Sequence, residues 1–231
     1  MAQSPNRLLA ALPPDVFSVL APHLNTVELK FGDVLAEAGG SIRQVYFPYS
    51  GVISLVVELH VGSMIETAMV GRDGAFNAAA ALDGKVSLNK CIVQVAGSAG
   101  AIEVNRLRRL ANEHERLCSL IIRHEQVLFA QSQQSAACNA SHSVEARMGR
   151  WLLYMRDLAG GDDLMLTQEF LGQMLSVRRP SVSMAASPLQ TAGMINYSRG
   201  RIRVLDAKAL QKRACECYGT VKAHYRRLLS D

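Results

Sequence analysis

The sequence predicts an α+β chain in which an antiparallel β-roll is followed by a long helix and a C-terminal winged helix-turn-helix. Three observations predict it. Short β-branched runs punctuated by glycine fill the stretch from Thr26 to Val104, an apolar heptad without Gly or Pro follows, and a helix–turn–helix–hairpin pattern runs from Leu166 to Leu205. The expected domains are 1–111 for the roll, 112–139 for a dimerisation helix and hinge, and 140–231 for the winged domain.

With 231 residues, 49% hydrophobic and 19% charged, the composition is that of a packed protein rather than a disordered one. Met1 to Leu12 lack the basic start, apolar core and small-residue cleavage site of a secretory signal. No apolar run approaches the roughly 20 residues needed to span a bilayer, so a cytoplasmic chain with no membrane partner is expected. Five scattered cysteines, an odd number, suit a reducing compartment better than a disulfide framework.

The roll is introduced by two short helical stretches, Asn6 to Leu12 and Asp15 to Leu24, the second preceded by Pro13-Pro14 at a helix start. Strands are expected at Gln44 to Phe47, Val52 to Leu59, Met64 to Val70 and Cys91 to Ala96, separated by glycine turns spaced as in a sandwich or roll.

From about Asn112 to Cys138, Leu110, His114, Leu117, Ile121, His124, Leu128 and Gln131 repeat at alternating spacings of four and three, the seam of a coiled coil. Leu117, Ile121, His124 and Leu128 are therefore expected at an interface between two copies. A second line, Leu120 and Val127 with Ile122 and Phe129 nearby, widens the buried face. His114 and His124 suggest a haem-binding or proton-sensing role or, more simply, hydrogen-bonded interface histidines. A break at Cys138-Asn139 leads to a further helix, Val144 to Leu158, capped by Ser143 and ended by Gly160-Gly161. Its Trp151 is expected in the core.

Charge is unevenly spread. Up to Asn139 there are 11 Lys and Arg against 12 Asp and Glu; from Ala140 onward there are 14 against 8. A basic end on a neutral body is what a polyanion-binding module requires, because its cations displace counterions from phosphates. Within that end, Thr167 is placed to cap a helix from Gln168 to Leu175, Ser176-Val177-Arg178 make a turn, and Pro180 opens a second helix. Gly193 suits a left-handed C-cap. Met194 to Tyr197 and Arg201 to Leu205 then form a hairpin carrying Arg199, Arg201 and Arg203, a basic wing. A helix-turn-helix of this kind sets the start of its second helix against base edges in the major groove. Pro188, inside that second helix, is expected to kink it or end it early.

The stretches LTQEFLGQMLSVRRPSV, GDVLAEAGG and VYFPYSGVISL resemble the Crp/Fnr family of bacterial transcription regulators, and the resemblance covers essentially the whole chain. It implies a homodimer on two-fold symmetric double-stranded DNA, with RNA polymerase as a partner. It implies a roll of the cyclic-nucleotide-binding kind, Arg179 as the base reader, and Ser181 and Thr167 on phosphates. A guanidinium suits guanine O6 and N7 by donating two parallel bonds. Gln168, Arg178, Ser183, Arg199 and Arg201 complete the expected DNA-facing set. Pro180 stands where the family has a glutamate and Met184 where it has an arginine, so the operator is not transferable.

Cyclic-nucleotide-binding relatives use a Gly-Glu turn and an Arg-Ser pair. Here the stretches read Gly71-Arg72-Asp73-Gly74 and Asn89-Lys90-Cys91, so Arg72, Asp73 and Lys90 are the candidate effector residues and cyclic AMP is not the expected ligand. The cysteine cluster of the iron–sulfur members is missing, with no cysteine before Cys91. Cys138, His142, Cys215 and Cys217 could instead hold zinc or an iron–sulfur cluster at the hinge, although such cysteines are more often small buried residues. No cofactor is expected outright. No acid, base and nucleophile set or phosphate loop suggests an enzyme. The alternative to a DNA-binding regulator under effector or redox control, a ligand-binding module acting through protein partners, leaves the basic winged domain unexplained.

Overall fold

The computed structural model describes residues 4–60, 62–83 and 86–229. Two short helices, α1 (Arg7–Ala10) and α2 (Pro14–Leu20), precede the strands β1 (Asn25–Leu29), β2 (Val34–Ala36), β3 (Gln44–Pro48), β4 (Val52–Glu58), β5 (Met64–Val70), β6 (Lys90–Val95) and β7 (Gly97–Glu103). They form two antiparallel sheets, ordered β1-β7-β3 and β2-β6-β4-β5. The chain changes sheet at Ala96, between β6 and β7. This corner demands glycine: a Cβ on Gly97 would lie 2.4 Å from the Ser50 carbonyl oxygen, and one on Gly51 would lie 2.5 Å from that of Val95.

Helix α3 (Val104–Glu113) leaves the roll, capped by the Glu103 carboxylate, which accepts from the Asn105 and Arg106 amides. The expected continuous helix is interrupted at His114, whose extended backbone (φ −128°, ψ 97°) starts α4 (Glu115–Ser141). At 27 residues, α4 is about 40 Å long. The second break lies at His142-Ser143, later than the Cys138-Asn139 expected, because the helical pattern carries through Asn139 and Ala140 before the Ser143 cap starts α5 (Val144–Ala159).

The heptad seam is corrected. Leu117, Ile121, His124 and Leu128 are 1%, 1%, 0% and 8% exposed within the single chain, so they are not free for a second copy. Leu117 and Ile121 join the core under α1, α2, β3 and α3, and Leu128 packs on Ala68 and Val70 of β5. Heptad spacing reveals an apolar face but not the body that covers it, and the roll covers this one. Leu120 and Val127 are buried as expected, but Ile122 and Phe129 face outward, 44% and 66% exposed.

The winged domain comprises α5, β8 (Asp163–Met165), α6 (Gln168–Met174), α7 (Arg179–Thr191), β9 (Ile195–Ser198), β10 (Arg201–Val204), α8 (Ala207–Arg213) and α9 (Cys217–Leu229), with its sheet ordered β8-β10-β9. Trp151 is fully buried, as expected. Its core continues into the roll: Val52, Val56 and Met69 belong to one cluster with Val127, Trp151, Leu153, Leu171 and Met174. Among the described residues no helix is long and apolar enough to cross a membrane.

Candidate nucleic-acid interface

Thr167 caps α6 by accepting from the Phe170 amide at 3.1 Å. The helix ends with Ser176 in the left-handed region (φ 52°), where the Val177 amide donates to the Gly172 carbonyl at 2.8 Å. That bond requires Gly172, since a Cβ there would lie 2.8 Å from the Val177 carbonyl oxygen. The tight turn brings α7 across α6, and Val182, Ala185 and Leu189 fill the seam.

Helix α7 runs unbroken to Thr191, so Pro188 does not end it early. Pro188 lies on the exposed face in the last turns, and only the Met184 carbonyl loses its helical donor; Met184 is 75% exposed, so water can supply one. Gly193 takes the left-handed position (φ 70°) after the helix, as expected.

Arg179 opens α7 and Pro180 follows it, one position later than expected. The Arg179 Nε donates to the Gln168 Oε1 of α6 at 3.1 Å. The wing tip is a two-residue turn with Arg199 at φ 49° and Gly200 at φ 75°, the paired positive values of a type I′ hairpin. Thr167, Gln168, Arg179, Ser183 and Arg199 line one groove of about 670 Å³ between α7 and the wing, with Gln190 and Tyr197 on its walls. Arg178 and Arg201 are exposed and Ser181 half-buried, all three outside the lining of that groove. Arg203 serves the fold instead: its guanidinium forks onto Asp163 of the neighbouring strand through two bonds of 2.8 Å, which hold that carboxyl below its ordinary range.

The expected effector residues are not brought together. Arg72 and Asp73, both half-buried, line a polar cavity of about 670 Å³ between the roll and the winged domain, with Arg7, Arg156, Asp157 and Lys222. Burial pushes the Asp73 carboxyl above its ordinary range. Lys90 lies apart, pairing with Glu58 at 3.1 Å and Glu37 at 3.5 Å. His124 is a core residue whose Nε2 accepts the Ala75 amide at 3.1 Å. Cys138, His142, Cys215 and Cys217 do converge, all four ligand atoms lying within 4.8 Å of one another. The hydrogen bond from Cys215 holds the Cys138 thiol well below the usual thiol range and pushes its own up.

Sequence reasoning missed Glu66. This buried carboxylate of β5 accepts from Ser54 of β4 and, at 2.7 Å, from the Trp151 Nε1 of α5. Burial raises it to about 7, against the pull of those two bonds and of Arg150. The available signal was an acid inside the otherwise apolar strand MIETAMV.

Roll, spanning helix and basic winged domain define the class: a mixed α and β chain that ends in a winged helix-turn-helix. Residues 146–213 match the family model for the Crp-like helix-turn-helix domain. FixK2 from Bradyrhizobium japonicum is similar in structure, with a TM-score of 0.71 at 15% identity over 83% of this chain and 98% of that one. A CRP-family transcriptional regulator from Thermus thermophilus gives a TM-score of 0.67 at 22% identity, covering 81% and 96%. The c-di-GMP-responsive global regulator CLP of Xanthomonas campestris gives 0.67 at 13%, covering 83% and 99%. No curated protein matches in sequence. The family model covers residues 146–213, and the likeness to these solved regulators, at 22% identity or less, is one of fold.

Proposed function

We propose that the chain is a homodimeric, sequence-specific DNA-binding transcription regulator, with α7 reading the major groove and the wing gripping the backbone alongside. The observation that carries this reading is the shared groove in which Arg179 and Ser183 of α7 face Arg199 of the wing. Arg179 is the base reader, and Met184 on the same exposed helix offers an apolar contact for a thymine methyl. Arg199 and Arg201 contact phosphates, as do Thr167 and Ser181. Dimerisation uses the outward stripe of α4, and RNA polymerase is the expected partner at the promoter.

The cavity lined by Arg72 and Asp73 supports control by a small effector. It lies where the roll meets α5 and α9, so an occupant there would favour one orientation of the winged domain over another.

Selected operator fragments, obtained by binding random duplexes, test the reading. Arg179→Ala is expected to cost about 1–3 kcal/mol and to relax preference at one base pair per half-site. Arg199→Ala and Arg201→Ala are expected to weaken all sequences alike, each lowering the salt slope by about 1. Uniform weakening by Arg179→Ala, without change of preference, would remove it as the reader.

A further inference from the structure

We propose that Cys138, His142, Cys215 and Cys217 form a closed, tetrahedral zinc site that staples the start of α9 to the end of α4 across the hinge. Cys138 lies in the last turn of α4 and His142 is the extended residue that caps its end, while Cys215 and Cys217 come from the segment that enters α9. The Cys138 and Cys215 sulfurs are 3.5 Å apart, and the Cys217 sulfur is 3.6 Å from the His142 Nδ1. Zinc bonds of about 2.3 Å to sulfur and 2.0–2.1 Å to nitrogen imply tetrahedral edges of about 3.8 and 3.5 Å. All four ligand atoms fall within 4.8 Å, a ring suited to one metal ion rather than to the corners of a four-iron cube.

The surroundings are those of a metal site as well. The His142 Nε2 is 3.1 Å from the Glu216 carboxylate, which orients the ring and leaves Nδ1 toward the thiols, a carboxylate–histidine–metal arrangement. The Gln134 amide donates to the Cys217 sulfur at 3.0 Å. Zinc with three thiolates and a neutral imidazole carries one net negative charge, the thiol protons having passed to solvent. Buried Arg147 and Arg150, one turn into α5, act electrostatically on the same sulfurs and offset that charge. The three cysteines are buried, so four protein ligands close the site against substrate, as in structural rather than catalytic zinc. Arg147 also donates to the Leu175 carbonyl at the end of α6, which ties this corner to the turn before α7.

The test uses the full-length chain, reduced, stripped with a chelator and titrated with Co2+ and then Zn2+. One Co2+ per chain is expected, with the visible bands of tetrahedral cobalt thiolate, and Zn2+ displaces it. Cys138→Ser and Cys217→Ser are expected to weaken Zn2+ by about 100-fold or more and Glu216→Gln by about 10–100-fold, while Cys91→Ser and Cys118→Ser change nothing. Where a cysteine variant fails to fold, His142→Ala and the wild-type stoichiometry carry the test. A folded, reduced wild-type chain that gives no tetrahedral cobalt spectrum would overturn the site, as would equal loss in Cys118→Ser or a Cys138–Cys215 disulfide as the only chemistry found. None of these measurements depends on DNA binding.

Discussion

Arg179 is restrained in the free chain. Its bond to Gln168 fixes the guanidinium, so in the proposed role of base reader less side-chain freedom remains to be lost on docking. Glu66 is a different kind of residue, a carboxyl whose burial makes the fold sensitive to pH. Its value rises from 4.5 to about 7 on folding, so folded and unfolded chains bind its proton equally below about 4.5, and the folded chain is penalised increasingly up to about 7. Stability from this group therefore falls as pH rises through that window, by up to about 3 kcal/mol. Denaturant midpoints measured near pH 5 and near pH 8 should show that loss, and Glu66→Gln, which keeps an acceptor for Trp151, should flatten it. A slope unchanged in the variant would assign the pH dependence elsewhere.

At the level of elements, α4 presents two faces with opposite fates. Ile122 and Phe129 belong to an exposed line with Ser119, Gln126 and Gln133, again at spacings of three and four. Phe129→Arg leaves the intramolecular face intact and should convert the proposed dimer to monomer. Each lost aromatic removes about 1.5–3 kcal/mol, and symmetry counts it twice, so the dimer Kd should rise at least about 100-fold. Light scattering at micromolar concentration checks this, and an unchanged mass would move the interface off α4. The heptad itself was legible in the sequence, but a second line at the same spacing, with Ile122 and Phe129 as its apolar members, shares the helix. Only the presence of the roll decides which is turned inward. The helix-turn-helix was legible almost to the residue because its signals are local: the Thr167 cap, Gly172 at the crossing, Pro180 at the helix start and Gly193 at its end. Strand β7, GSAGAIE, was not, since small residues carry no β-branched pattern and its pairing partners lie far away in sequence. The hinge cysteines were readable as a set of donors, but their convergence depends on α9 packing back on α4.

For the whole molecule, the decisive feature is a core that does not stop at the hinge. Val52, Val56 and Met69 of the roll pack in one cluster with Trp151 and Met174, and the Glu66–Trp151 bond crosses the same boundary. Heating the isolated chain should accordingly give a single cooperative transition in calorimetry, with van't Hoff and calorimetric enthalpies in agreement. Two separable transitions would show that roll and winged domain are independently stable. The shared core also bears on how such a protein can be recombined. A winged domain cut at the hinge and grafted onto another roll would carry Trp151 and Met174 into solvent and leave behind a roll with a bared apolar face and an orphaned carboxylate. The winged end is not a portable module; any exchange that preserves folding has to carry the matching face of β4 and β5 with it.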